Sequence, residues 1–337
     1  MKSIPDVHGV DRDRFVNEIV PAGLPVVLRG VVGDWPAVQA ARQSPRAAAD
    51  YLKVMDVTKK AVSVSVLQPE HQGRFFYDED VSGYNFFVDQ RNVSGVVDWL
   101  ADNAGRSDVV TVYIQALILS VFMPAFERDN PLPMLEKSYG GRMWIGNGVR
   151  TQTHFDPSHN LACVVAGQRR FTLFPPEQID NLYPGPFDTA PGHVPVSMAS
   201  LEAPDFDRHP RFREALETAQ AADLLPGDAL YIPYGWWHHV QSGPGLNAMV
   251  NYWWTEEGAD WVSPFLAVYA SILSMRDLAP EQKQIWKHIM DRYVFGDTQA
   301  SVAHLPQGGQ GVFGKLTMDV RKRVGTIVKR LAGDIKP

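Results

Sequence analysis

The sequence predicts a mainly β fold with helical additions, in which a sandwich or barrel of short strands is followed by a helical tail. Three observations predict it. Between about residues 142 and 255 the chain breaks into short β-rich runs separated by turns: MWIGN, QTHFD, NLACVVAG, RRFTLFPP, DALYIP, HHVQS and NAMVNYWW. Many short strands with frequent turns suit a sandwich or barrel and not alternating βα units. After residue 259 the texture changes, with apolar residues recurring at helical spacing. Finally, 45% hydrophobic and 21% charged residues in a chain of 337 are enough to bury one large core with additions.

Taken in order, residues 11–19 (DRDRFVNEI) predict a short helix. In GLPVVLRGVVGDWPA, Val26 to Leu28 predict a strand closed by Gly30 and Gly33. AVSVSVL (61–67) alternates small polar and apolar residues, the pattern of a half-buried strand. Residues 94–102 predict a helix, and VVTVYIQALIL (109–119) a β-branched strand. AGQRR (166–170) predicts a tight hairpin turn joining two strands. In the tail, WVSPFLAVYASILSMRD and PEQKQIWKHIMDRYVF predict two helices and GKLTMDVRKRVGTIVKRLA a third. On the third, Leu316, Val320, Val324, Ile327 and Leu331 fall on one face, which needs a partner in this chain or another. The expected organisation is therefore a β domain over 1–258, with N-terminal helix-strand additions, and a helical extension over 259–337. No internal repeat or low-complexity segment interrupts it.

Charge and composition narrow the function. A net charge of −6 gives no overall positive field, so no nucleic-acid partner is expected. The basic residues of the last helix read as its solvated face. The stretch Val109 to Met123 is broken by Tyr113, Gln115 and Ser120, so no membrane span is expected. The polar start MKSIPDVHGVDRDRF lacks the apolar stretch of a signal peptide. Cys163 is the single cysteine, which excludes an internal disulfide and suits a reducing compartment. A cytoplasmic globular protein is the expectation.

The segment with the most chemistry is TQTHFD (151–156). On a strand, side chains two apart point to the same side, so His154 and Asp156 would both enter a barrel interior. Two imidazoles and one carboxylate suit a first-row divalent metal and leave positions open for other ligands. The second imidazole would come from DALYIPYGWWHHVQ, which presents His238 or His239, and His159 is a further candidate. A His-x-Asp pair taken alone is weak evidence and is more often a satisfied structural pair.

Several motifs keep it company in a fixed order: LPVVLRGVVGDWPA, HFDPSHN, GQRRFTLFPPEQIDNLYPGP, APDFDRHPRF, PGDALYIPYGWWHHV and VNYWW. Together, over roughly residues 20–255, they resemble the cupin-like branch of the JmjC oxygenases, and most closely its asparaginyl hydroxylases. The resemblance implies a double-stranded β-helix core of jelly-roll, cupin type. It also implies Fe(II), with 2-oxoglutarate and O2 as cosubstrates, and hydroxylation of a C–H bond with succinate and CO2 as coproducts. Carried over by position, His154, Asp156 and His238 match the metal ligands. Arg169 matches the cation that takes the distal carboxylate of 2-oxoglutarate, a task an arginine fork suits. Its neighbour Arg170 should face the other side of the strand. Tyr113 and Thr151 match hydroxyls sharing that carboxylate, Asn160 and Asn251 match amides of the same pocket, and Trp253 matches an aromatic beside the metal.

One departure bears on substrate. The asparaginyl hydroxylases carry an Arg-Gln pair that helps hold the target amide, whereas HVPVSMAS here places Pro195 and Val196 there. A peptide or protein side chain remains the expected target, with a small molecule as the alternative. A non-oxygenase, metal-binding cupin is a further alternative, against which Arg169 with Tyr113 and Thr151 would discriminate. Histone demethylation attracts less, since no zinc-binding cysteine cluster accompanies the motifs. By position, the C-terminal helices resemble an extension through which such hydroxylases form homodimers.

Overall fold

The computed structural model describes residues 1–106, 108–136, 139–190, 194–255 and 262–333. Contacts divide the chain into two compact units, Met1–Asp260 and Trp261–Pro337.

The first unit is built on strands β1 (Lys2–Ser3), β2 (Asp6–His8), β3 (Val26–Arg29), β4 (Ala61–Leu67) and β5 (Arg74–Phe75). These are followed by β6 (Phe87–Asn92), β7 (Thr111–Ile118), β8 (Arg142–Gly146), β9 (Arg150–Phe155) and β10 (His159–Ala166). The last five are β11 (Arg169–Phe174), β12 (Gln220–Leu224), β13 (Ala229–Ile232), β14 (Trp237–Ser242) and β15 (Asn247–Trp254). From β8 onward the strands alternate between two sheets, except that β11 and β12 follow one another in the same one. One holds β13, β10, β15 and β8 side by side, and the other holds β12, β11, β14 and β9. All pairings within these two sets are antiparallel. Two such sheets wound together form the jelly-roll core that the motifs imply. The remaining strands extend the sheets outward, so that they reach nine and six strands.

Burial explains the texture of the sequence. Every residue of β10 is buried, because one face meets the opposing sheet and the other meets helices. Between the sheets lie Ala162, Val164, Phe171, Leu173, Leu230, Ile232 and Val240. On the outer face of the larger sheet, Val64, Ile114, Ile145, Cys163 and Val250 pack against Val38, Leu52, Val97 and Leu100. These last four come from helices Pro36–Gln43, Pro45–Met55 and Val93–Asp102. Pro at the first helical position and the Ser44 hydroxyl, which accepts from the Ala47 amide, start the second of them.

Two expectations need correction. The turn after Ala166 does not close a hairpin, since β10 and β11 lie in different sheets. Gly167 and Gln168 carry the chain across the sandwich, with Gly167 at φ +72°. The helix expected over 11–19 runs as a helical stretch from Arg12 to Ala22, with a wide π turn at Phe15–Ile19. That turn buries Phe15 and Ile19 in the core.

The second unit contains helices Phe265–Met275, Pro280–Met290 and Met318–Gly333, none of which buries a residue. On the last, Val320, Val324 and Ile327 are half-buried. Leu331 is exposed, and Leu316 precedes the helix. Among the described residues, no helix is long and apolar enough to cross a membrane.

Candidate metal centre

β9 and β14 lie side by side with His154 opposite His238. Both imidazoles face the space between the sheets, their ring centroids 4.3 Å apart. Asp156, just past the end of β9, completes the group, and one ligand atom from each residue lies within 4.8 Å of the others. His238 Nε2 is 3.7 Å from Asp156 Oδ2.

The backbone fixes which nitrogen each histidine offers. His154 Nδ1 lies 2.8 Å from the Gln152 carbonyl, and His238 Nδ1 lies 3.1 Å from the Trp236 carbonyl. A carbonyl only accepts, so each Nδ1 carries the proton and each Nε2 presents a lone pair to the shared space. Burial, reinforced by the neighbouring His154 and opposed by Asp156, pushes the His238 pKa down to about 4. The ring is thus neutral near pH 7, the state a metal requires. Trp253 Nε1 donates to Asp156 Oδ2 at 3.1 Å and steadies the carboxylate.

The other imidazoles turn away. His239 points out of the barrel, with Nε2 2.9 Å from Glu202 Oε1. Burial pushes the Glu202 carboxyl up, but the contact with His239 and its charge outweigh this and hold it at about 2. His159 packs against the rings of Tyr231 and Trp254, with Nδ1 2.9 Å from the Tyr231 hydroxyl.

Deeper in the same cavity, Arg169 is 2% exposed, yet no described carboxylate pairs with it and its Nε has no hydrogen-bond partner. One terminal nitrogen is 3.4 Å from the Trp144 carbonyl. The Tyr113 hydroxyl is in polar contact with both Thr151 and Arg169. Burial lowers the Arg169 pKa, against the support of Tyr113. A buried guanidinium lacking a counter-ion is costly unless a ligand supplies the anion. Above it, Trp144 Nε1 donates to Asn251 Oδ1 at 2.7 Å, and Asn251 Nδ2 donates to Asn160 Oδ1 at 3.4 Å. All nine expected site residues therefore line one cavity. Arg170 faces outward and pairs with Asp223 at 2.6 Å.

Thr151 and His154 stand three apart and would point to opposite faces of a regular strand. Here β9 bulges: His154 pairs with His238 but Thr151 with Val240, so three steps on β9 match two on β14. The extra residue turns both side chains inward.

Other lining residues went unread in the sequence. Trp144 is one, although its place on β8 two residues before Gly146 signals an inward side chain. Val194 is another. It stands two residues from Val196, whose backbone bridges His154 and whose side chain also lines the cavity.

A family model described as "Cupin-like domain" matches residues 12–260. The chain belongs to the cupin-like domain family. Relatives within reach include a lysine-specific demethylase JMJ31 of Arabidopsis thaliana, 41% identical over 113 residues, 33% of this chain and 20% of the relative. Jumonji C domain-containing protein 5 of Drosophila melanogaster is 25% identical over 267 residues, 74% of this chain and 59% of the relative. Lysine-specific demethylase 8 of Danio rerio is 26% identical over 266 residues, 75% and 59% respectively. The chain thus spans between 20 and 59% of the length of these relatives. The cupin-like domain is of the JmjC oxygenase class, whose enzymes use Fe(II), 2-oxoglutarate and O2. The similarity supports that class as a whole and does not single out its asparaginyl hydroxylases. The donor set fits the cofactors: two imidazoles and a carboxylate for the iron, and a buried guanidinium without a described counter-ion for a dicarboxylate.

Proposed function

We propose that the protein is an Fe(II)- and 2-oxoglutarate-dependent dioxygenase that hydroxylates a C–H bond of a peptide or protein side chain. The observation that carries it is the pairing, in one cavity, of the His154–Asp156–His238 group with the unpaired, buried Arg169. A cupin that merely held a metal for isomerase or hydrolase chemistry has no need of a second, cationic pocket for a distal carboxylate.

Iron with 2-oxoglutarate supplies the oxidising power. In the net reaction R–H, O2 and 2-oxoglutarate give R–OH, succinate and CO2, with one oxygen atom entering each oxidised product. The protein's own residues bind, orient and exclude water. His154 and His238 hold their Nε2 lone pairs in place through their Nδ1–H bonds to carbonyls. Trp253 holds Asp156. Arg169, with Tyr113 and Thr151, takes the distal carboxylate, while Asn160 and Asn251 line the pocket above it. Phe75, Phe86, Val194 and Val196 form apolar walls that limit water.

The names of two relatives raise lysine demethylation as a second reading. Against it, Asp156 is the only carboxylate among the described lining residues, and it is engaged as a ligand candidate. A methylated ammonium would find no free anion there. We infer, further, that the exposed apolar helices of the second unit support a homodimer.

The test needs no substrate. Apo-protein is titrated anaerobically with Fe(II) and 2-oxoglutarate while the visible metal-to-ligand charge-transfer band is followed. The expected result is a band in wild type that His154→Ala abolishes. A folded wild type that shows no band would overturn the oxygenase reading.

A further inference from the structure

Two unlike surfaces flank the metal group, one lining the cavity and one just behind its Trp253 ring, and the contrast restricts what can bind. One wall is the loop beside β9. Val196 sits opposite His154 across an isolated bridge, and the loop is pinned by Ser197 N donating to Thr153 O at 2.7 Å. Gly185 N donates to Val196 O at 2.8 Å from the other side. Val194 and Val196, two residues apart, both line the cavity. Rigid valines offer nothing to an amide or a cation, and a polar group set against them would lose its hydrogen bonds with water unrepaid.

Against Trp253, which lines the cavity, lies a charge that has no partner among the described residues. Arg142 opens β8, two residues before Trp144, and so stands on the strand face that looks into the barrel. It is half-buried, and its guanidinium lies 5.6 Å from the centroid of the Trp253 ring. Trp253 is the same indole that bonds Asp156, so one aromatic ring separates this cation from the metal group. Among the described residues the Arg142 side chain makes no hydrogen bond and no ion pair, while its backbone pairs with Asn251 and Ile118 in the sheet. Arg46, Arg106, Arg128 and Arg170 hold carboxylates, whereas Arg74, Arg211 and Arg213 lie over aromatic rings as Arg142 does; what sets Arg142 apart is that its ring is the one bonded to Asp156. A half-buried, ring-stacked guanidinium beside an active cavity is set up for bidentate recognition of an external anion.

We propose that the substrate is acidic: Arg142 pairs with a carboxylate of the substrate, and an aliphatic carbon near that carboxylate rests against Val194 and Val196 for hydroxylation. This rests on the oxygenase reading above and uses the same net reaction. It makes Arg142 a specificity residue that touches substrate but neither cofactor. It also gives a second reason why a methylated lysine suits the site poorly, since its charge would meet that of Arg142.

The test uses the full chain loaded anaerobically with Fe(II) and 2-oxoglutarate. Three fluorescein-labelled heptapeptide pools with a central leucine are compared by anisotropy, their flanking positions drawn from Asp/Glu, Asn/Gln or Lys/Arg. The acidic pool should bind at least tenfold more tightly than the basic one. Arg142→Gln should erase that preference, Arg142→Lys should keep part of it, and Arg142→Glu should reverse it. Pools that bind alike, pools that all fail to bind, or a preference that survives in Arg142→Gln would overturn the proposal. The charge-transfer band is read on the same samples. Its presence with no acidic preference sinks only the substrate assignment, whereas its absence from wild type sinks the oxygenase reading beneath it.

Discussion

Arg169 sits where an ion is expensive, and the proposed binding of a dicarboxylate would offset that expense. Its guanidinium is buried, its Nε has no hydrogen-bond partner, and its polar neighbours are the Tyr113 phenol and the Trp144 carbonyl. Burying an uncompensated ion costs on the order of several kcal/mol, a penalty that an apolar side chain of similar length does not carry. Arg169→Met should therefore raise the urea midpoint of the apo-protein while the charge-transfer titration demands far more 2-oxoglutarate. If the variant lost stability and bound 2-oxoglutarate normally, Arg169 would be structural and its pocket something else. At this scale the sequence is informative where chemistry restricts the choice. An imidazole–x–carboxylate strand and an arginine two residues past a glycine turn stand out in the sequence, and the fold brings both to one cavity. His239 shows the limit, since only the pairing of β14 with β9 puts it on the outer face against Glu202. Arg142 was silent because it opens its strand without a motif, and its meaning depends on a ring 111 positions further along the chain, that of Trp253.

Between residues and molecule, the strands explain how separated groups reach one cavity. β10 is legible as a continuous apolar run because both its faces are buried. β12 (QAADL) is not, since alanine and aspartate are poor strand formers and its edge-to-edge pairing with β11 decides the matter. The crossing after Ala166 looks like a hairpin in the sequence because a two-residue glycine turn serves both purposes. What distinguishes it is Asn247, whose Oδ1 accepts from Gln168 N at 3.0 Å and sits where a Cβ on Gly167 would lie 2.2 Å away. Gly167→Ala would both force φ +72° on a residue with a Cβ and displace that amide. The strained conformation alone costs about 1–3 kcal/mol. The melting temperature should fall accordingly, and the loss should exceed that of Gly30→Ala, where φ is +68° but nothing lies within 4 Å of the added carbon. Equal losses at the two positions would mean that Asn247 simply yields and that the crossing is not held by it.

Across the whole molecule, the two units contrast in how they handle apolar surface. The first buries its large side chains in a layered core, while Leu266, Leu273, Trp286 and Phe295 of the second are 46, 66, 43 and 78% exposed. Apolar patches of this kind on a soluble chain mark a surface that another protein covers. A second copy of the chain is the economical occupant, because a two-fold contact lets the same helices serve both sides. Leu273→Glu together with Trp286→Glu removes no buried packing and places charges on that surface, so the fold should survive. Sedimentation should then find wild type as a dimer at micromolar concentration and the double variant as a monomer, with the cofactor titration unchanged in both. Were wild type itself monomeric, the helices would have to meet a different protein. The portions of the relatives that lie outside this chain, at least two fifths of their length, would then be the first place to look for a surface of matching character.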